Sequence, residues 1–300
     1  MSAAQPGMER IMKKIILASL LVGVSALSSE AQIARVFVSV GGNDLNDCLQ
    51  PATACRTLNG GILKVDTGGE VILVDTGSYA GATITKSVKI NVPSGNVAFS
   101  GLSITVNAPS ATVVLRGLTL KALTPGSGTG VNILAASAVF IENCVIDGWS
   151  VGLDMQVAGE LYIKDSTIRN NTSSGVRVIH ASAIASADNS RFERNSTGFN
   201  LDLGKGAAVR SLFANNGFGV IFNNGFQTTG TMTLDQCDVS NNSVTGVALG
   251  GAILRVLNST TTGNSEGWRQ AGGTFESFGN NVLRGNTTNT TGTITTVAKQ

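Results

Sequence analysis

An all-β solenoid, a right-handed parallel β-helix with a short N-terminal capping helix, is the fold this sequence predicts. Three observations predict it. The first is a repeat: Ala138 to Asp154, Glu160 to Arg177, Ala183 to Asn200, Ala207 to Ile221, Thr231 to Ala248 and Ala252 to Arg269 share one plan. Each has an alternating strand, a short second strand, a polar turn that usually holds Asn, then Gly and an apolar residue. The glycines Gly152, Gly175, Gly198, Gly219, Gly246 and Gly267 stand 23, 23, 21, 27 and 21 residues apart. A period of this size without helical spacing inside it marks a solenoid. The unequal steps exclude the strict multiple of six of a left-handed hexapeptide helix. They fit a right-handed helix with one corner open to insertions.

The second observation is parity. After each glycine the next residue points in: Leu153, Val176, Phe199, Val220, Val247 and Trp268. The one after it points out (Asp154, Arg177, Asn200, Ile221, Ala248, Arg269), and the third points in again (Met155, Val178, Leu201, Phe222, Leu249, Gln270). A slip of one residue would bury Asp154, Arg177 and Arg269, so the register is well specified. The third observation is composition. The chain has 37 glycines, 13% charged residues and 5% aromatics in 300 residues. Such a chain has apolar content enough for a core and turn residues enough for stacked β rungs.

Taken in order, the chain opens with a targeting segment. Lys13 and Lys14 precede an apolar run from Ile15 to Ala26, and Ser29-Glu30-Ala31 offers cleavage before Gln32. This reads as a secretory signal peptide over 1–31, with Met12 as the natural start, and not as a membrane span. No cysteine follows the run, so a lipoprotein signal is absent. A secreted, periplasmic or cell-surface location in a bacterium is expected. Residues 32–69 read as an N-terminal cap. Arg35–Val40 is a strand, Gly41–Asp47 a turn-rich loop, and Arg56–Asp66 a short helix with Leu58, Ile62 and Val65 on one face. The helix would cover the apolar end of the solenoid. Asp44, Asn46 and Asp47 bring calcium to mind, but the spacing lacks the glycine and distal Glu of an EF-hand loop, so they read as turn residues. Cys48 and Cys55, close together in an exported loop, predict a disulfide. Cys144 and Cys237 share a repeat position with Ser166, Ser190 and Ser259. Four rungs separate them, too far to bridge, and they read as small buried residues.

The β-helix proper is expected over 70–286. Glu70–Asp75, Ala82–Thr85, Val88–Val92, Val97–Phe99, Leu102–Val106 and Thr112–Leu115 form its first rungs. Leu123–Gly130 reads as an insertion at a corner. The Thr-rich stretch 287–300 reads as a tail or edge strand. The sequons at Asn171, Asn195, Asn241, Asn258, Asn286 and Asn289 read as turn asparagines rather than glycan sites.

FVSVGGNDLNDCLQPATACRTLNGGI followed by GGEVILVDTGSYAGATITKSVKI resembles the N-terminal signature of secreted bacterial right-handed β-helix proteins of the pectin-lyase-like superfamily. The resemblance covers the whole mature chain. It implies the fold and leaves the role open, because lyases, hydrolases, epimerases, tailspikes and adhesins share that fold.

The motifs of those enzymes do not carry over. A polygalacturonase-like site needs clustered Asp with Gly-His-Gly and Arg-Ile-Lys, and the single histidine, His180, has no such neighbours. A lyase-like site needs several outward carboxylates for calcium and an Arg to take the proton. The nearest approach is the pair of catalytic candidates Asp154 and Arg177, one carboxylate being too few for the ion. Asp147, Asp154 and Arg177 would form a site only if the Leu123–Gly130 insertion gathered them. Asp154 and Asp202 fall on opposite faces in this register. Outward residues Glu142, Lys164, Asp188, Arg210 and Asp235 form a column of alternating charge, read as a solvated face with cross-strand pairs or as a charged groove for a polymer. Asp188 and Asp235 would stand two rungs, about 9.6 Å, apart with Arg210 between them. No metal set, cofactor motif or basic nucleic-acid patch is present, the formal charge being +2. Three roles follow: a non-catalytic module binding polysaccharide or a cell-surface polymer, a divergent polysaccharide lyase or hydrolase, or a self-associating structural part.

Overall fold

The computed structural model describes residues 32–222 and 229–298. The expected signal peptide lies outside them. Strands pair in parallel throughout, in three sheets that each rung visits in turn. Sheet A has 12 strands and sheets B and C have 10 each. One rung shows the plan: Gly159–Lys164 in sheet A, Thr167–Arg169 in sheet B and Ser174–Val178 in sheet C. The first and third of these strands alternate and the second is short, as the repeat predicts.

Two tight corners connect the sheets, and both need a left-handed residue. Between sheets A and B it is Asn143, Asp165, Asn189, Arg210, Gln236 or Asn258, with φ of 45° to 54°. Between sheets B and C it is Asn170, Arg194, Asn215 or Asn241, or a glycine such as Gly263. Asn and Asp tolerate this conformation because their short side chains bond locally. The glycine column has a different cause. A Cβ on Gly152, Gly175, Gly198, Gly219 or Gly246 would lie 2.5–2.8 Å from the carbonyl oxygen of the next glycine in the column. Gly130 extends the column one rung towards the N-terminus, against Gly152. Only a residue without a side chain lets successive turns approach so closely.

Beside that corner runs a buried ladder of Asn171, Asn195, Asn216, Asn242 and Asn264, each at most 3% exposed. Each Oδ1 from Asn195 onward accepts from the backbone N–H and the side-chain amide of the asparagine one rung earlier. Asn195, for example, accepts from Asn171 at 3.0 and 2.8 Å. Its own Nδ2 donates to Ile168 O and to Asn216 Oδ1. The corner's polar groups are thereby satisfied inside the protein. The sequons at Asn171 and Asn195 are therefore occupied by packing. At the other corner Ser166, Ser190 and Ser259 share a column with Cys144 and Cys237, as predicted, and Ser211 joins them. Each serine hydroxyl accepts from the backbone N–H one rung earlier. Both thiols are buried, and burial pushes the pKa of each up to about 12.

The inward columns are the core, from Leu153 and Val176 through Phe199 and Val220 to Trp268. Phe192 and Phe213 stack within it at 4.8 Å. The helix is Leu58–Lys64, with Leu58 and Ile62 buried. Cys48 and Cys55 form the expected disulfide. Asp44 is a turn residue, as read: its carboxylate accepts from Arg56 N, Thr57 N and Thr57 Oγ1 at 2.7–2.9 Å.

Four expectations need correction. Val209, not Arg210, pairs with Asp188 and Asp235, because Arg210 supplies the left-handed corner. Asp154 lies on the outer face but is only 2% exposed, because Arg177 and Gln156 cover it. Asp202 lies on the same face as Asp154, since both are an even number of residues from their column glycines. Finally, Ser127–Ala135 is a strand of sheet C, with a register shift between Ile133 and Ala135, so little of Leu123–Gly130 is insertion. The Thr-rich end supplies the edge strands Thr288–Thr291 and Ile294–Thr296.

Candidate functional site

Four neighbouring strands of sheet A build the site: Ala138–Glu142, Gly159–Lys164, Ala183–Asp188 and Lys205–Val209. Two of the columns that alternation sends outward form the site. The first runs Val114, Phe140, Tyr162, Ser186, Ala207, Thr233. The second runs Arg116, Glu142, Lys164, Asp188, Val209, Asp235.

In the first column side-chain volume drops abruptly. Phe140 and Tyr162 stack with ring centroids 4.8 Å apart and planes at 15°. The next two rungs carry only Ser186 and Ala207. A groove of about 520 Å³ opens there, walled by the aromatic pair and edged by Glu142, Lys164, Asp188 and Arg210. Glu142 and Lys164 also line an adjoining depression of about 660 Å³ that reaches Arg116. Tyr162 donates its hydroxyl to Glu160 Oε2 at 2.6 Å, and this carboxylate holds the phenol above its ordinary pKa.

The charges are mostly paired across rungs. Arg116 meets Glu142 at 2.6 Å and Arg210 meets Asp188 at 2.5 Å. Arg210 thus reaches the groove from its corner although it is out of column. Lys164 has no ion-pair partner among the described residues, and of the groove's cations it is the one left open. Glu142 and Asp188 flank it two rungs apart. Each already accepts an arginine, which leaves neither as the free acid of a hydrolytic pair.

Asp154 and Arg177 stand elsewhere, on sheet C. Arg177 donates to both carboxylate oxygens of Asp154, at 2.9 and 2.6 Å, and Gln156 Nε2 adds a third bond at 2.8 Å. Asp202 shares this outer face; burial raises its pKa, against lowering by Asn200 and Arg177. Asp147 belongs to sheet B, where it pairs with Arg169. The structure therefore brings Asp154 and Arg177 together but not Asp147. It also places this cluster on a different sheet from the charge column. Among the described residues no group of three His, Cys, Asp or Glu is placed to hold a metal ion.

The sequence reading missed Phe140, Tyr162, Ser186 and Ala207. The signal was present: Phe140 and Tyr162 are large aromatics at outward positions of two neighbouring strands, beside the outward Glu142, Glu160 and Lys164. An aromatic wall beside charged donors and acceptors suits a sugar, whose C–H face packs on a ring and whose hydroxyls take hydrogen bonds.

Comparison with known proteins agrees with this architecture. The family profile described as "Right handed beta helix region" matches residues 74–218. The chain is a right-handed parallel β-helix. That architecture is consistent with the pectin-lyase-like superfamily. The crystal structure of pectate lyase Pel9A is similar over 91% of this chain and 80% of that one, with TM-score 0.61 and 16% identity. Two further structures overlap more loosely. The GH136 lacto-N-biosidase from Eubacterium ramulus has TM-score 0.39 and 10% identity over 97% of this chain and 70% of that one. ORF18 of Geobacillus virus E2 has TM-score 0.39 and 12% identity over 100% and 65%. No curated protein matches the sequence. Among the described residues no helix is long and apolar enough to cross a membrane.

Proposed function

We propose that this protein is an exported β-helix that binds polysaccharide on the outer face of sheet A without turning it over. The observation that carries the reading is the Phe140–Tyr162 stack opening onto the Ser186 and Ala207 floor beside Lys164. The ring stack supplies an apolar wall. Lys164, Asp188 and Arg210 supply donors and acceptors at its edge. The disulfide and the predicted signal peptide support export.

A second reading has its own support. Lys164 has no ion-pair partner among the described residues and stands where it would meet an acidic sugar, the position a base needs to take the proton α to a uronate carboxylate. The solved protein of similar fold, a pectate lyase, is named for lyase activity on pectate. One experiment separates the two readings. The chain from Gln32 onward is incubated with acidic and neutral polysaccharides, with and without calcium. Retention on the polymer, new reducing ends and unsaturated-uronate absorbance are all followed. Retention without either product supports the binding module, and product with any polymer establishes an enzyme. Failure of every polymer to be retained or cleaved sinks both readings. If retention is seen with an acidic polymer, Lys164→Gln should weaken it about fivefold, the loss of one exposed charge contact at ~1 kcal/mol.

A further inference from the structure

The groove has a direction, and it is not the direction the charge column suggests. Phe140 and Tyr162 are register partners on adjacent strands. Their rings stack through the rung spacing, 4.8 Å apart and within 15° of parallel. The faces of this stack therefore look up and down the solenoid, not out into solvent. The free face of Tyr162 looks onto the rung of Ser186, its next partner in register, and beyond it to Ala207. Where a third ring of the column would stand there is space, and that space is the groove.

We propose that this gap is a stacking subsite for one sugar ring, which enters edge-on, lies against the free face of Tyr162 and continues the aromatic column. The proposal rests on the carbohydrate reading and adds an orientation to it. A β-1,4-linked glycan of gluco- or xylo-configured pyranoses is joined through equatorial bonds at C1 and C4, so its chain runs close to the plane of its rings. A ring stacked on Tyr162 therefore directs its chain across the solenoid axis, along the strands of sheet A. The alternative is a chain laid along the axis over Arg116, Glu142, Lys164, Asp188 and Asp235, gaining contacts rung after rung. The crossing chain meets few of these. Its stacked ring has Lys164 and Asp188 on one side along the strand direction. Glu160 and Ile184 are on the other. Ile184 is 39% exposed, an apolar residue at an outward position of the same face. The ring class that fits presents axial hydrogens on its faces and hydroxyls around its rim, as β-1,4-linked gluco- and xylo-configured pyranoses do.

Cello-oligosaccharides and xylo-oligosaccharides, both joined through equatorial bonds, test this by calorimetry on the chain from Gln32 onward, as disaccharides and as hexasaccharides. The expected result is that, for whichever series binds, the hexasaccharide is no more than about threefold tighter than the disaccharide. Ser186→Phe, which places a protein ring in the gap, and Tyr162→Ala should each weaken binding about tenfold. Ser186→Ala should retain it. Thermal unfolding of each variant shows whether the fold is kept, and where neither larger variant folds the ratio of hexasaccharide to disaccharide affinity on the unaltered chain decides. Tyr162→Phe keeps the ring and should retain affinity. A hexasaccharide many times tighter than the disaccharide, or full binding by folded Ser186→Phe, overturns the crossing subsite and leaves polysaccharide binding standing. Absence of binding by the unaltered chain to both series and to the polymer panel overturns the carbohydrate reading with it.

Discussion

Single residues in this protein act through the rung above and the rung below. Gly198 illustrates the backbone side. A methyl group there would sit 2.6 Å from Gly219 O and 3.2 Å from Asn216 Nδ2, and neither belongs to a side chain end that swings aside. Gly198→Ala should therefore cost about 2–4 kcal/mol, read as a lowered urea midpoint. Asn216 illustrates the polar side. Its Oδ1 accepts from Asn195 N and Nδ2, so Asn216→Ala leaves two buried donors without their acceptor. A loss of about 2–3 kcal/mol is expected, more than an exposed Asn such as Asn215 would cost. Asp202 makes the opposite prediction. Burial raises its pKa, against lowering by Asn200 and Arg177, so the native state favours the protonated acid. A raised carboxylate contributes stability that is full below the unfolded value and lost as pH rises through the folded one. Asp202→Asn should therefore unfold at a higher temperature than the parent at neutral pH. The difference should shrink as pH falls into the carboxylate range. A difference independent of pH would remove Asp202 as its cause.

Elements are shaped by what they must cover. The helix Leu58–Lys64 has two glycines in its first turn, a poor helix former by propensity. Both are required by packing. A Cβ on Gly60 would run into the Asp44 carboxylate, and one on Gly61 would meet Val38 Cγ2 at 2.7 Å. Thr57 Oγ1 caps Gly60 N at 3.0 Å while its own hydroxyl donates to Asp44. The disulfide between Cys48 and Cys55 closes the loop that carries this arrangement. Replacing both cysteines with serine should lower stability by about 2 kcal/mol, the loop-closure effect for so short a span. Protease cleavage in the stretch 41–56 should then precede global unfolding. Cleavage elsewhere first would mean that the loop does not depend on the bridge.

At the scale of the molecule, stability is a sum over stacked rungs, each touching only its neighbours. The groove arises from a break in that regularity. Where the outward column keeps bulky residues the face is filled, and where it falls to Ser186 and Ala207 the face is open. The groove is thus a difference between rungs more than twenty residues apart in sequence. The charge column behaves similarly. Arg116, Glu142, Lys164 and Asp188 alternate in sign in register, and Arg210 keeps the alternation from one residue away.

Much of this was legible in the sequence, for a local reason. Alternation along a strand fixes which side chains face inward, so Leu153, Val176, Phe199 and Val220 could be placed in the core from the period alone. The repeat spacing placed the glycine column and the corner asparagines in the same way. Asp202 obeys the same rule, standing four residues after Gly198 and so on the face of Asp154. Other features depend on neighbours the period does not order. Arg210 left the column because one corner residue had to adopt the left-handed conformation, and that choice depends on the length of each rung. Asp154 was buried by Gln156 and Arg177, whose reach across the face is set by side-chain conformation and not by spacing. The sequence by itself determined the solenoid, its register and its inward residues, because these follow from periods of two and of one rung. Only the tertiary structure decided where the outer face is filled and where it is open, because that depends on the volumes that meet when separate rungs are stacked.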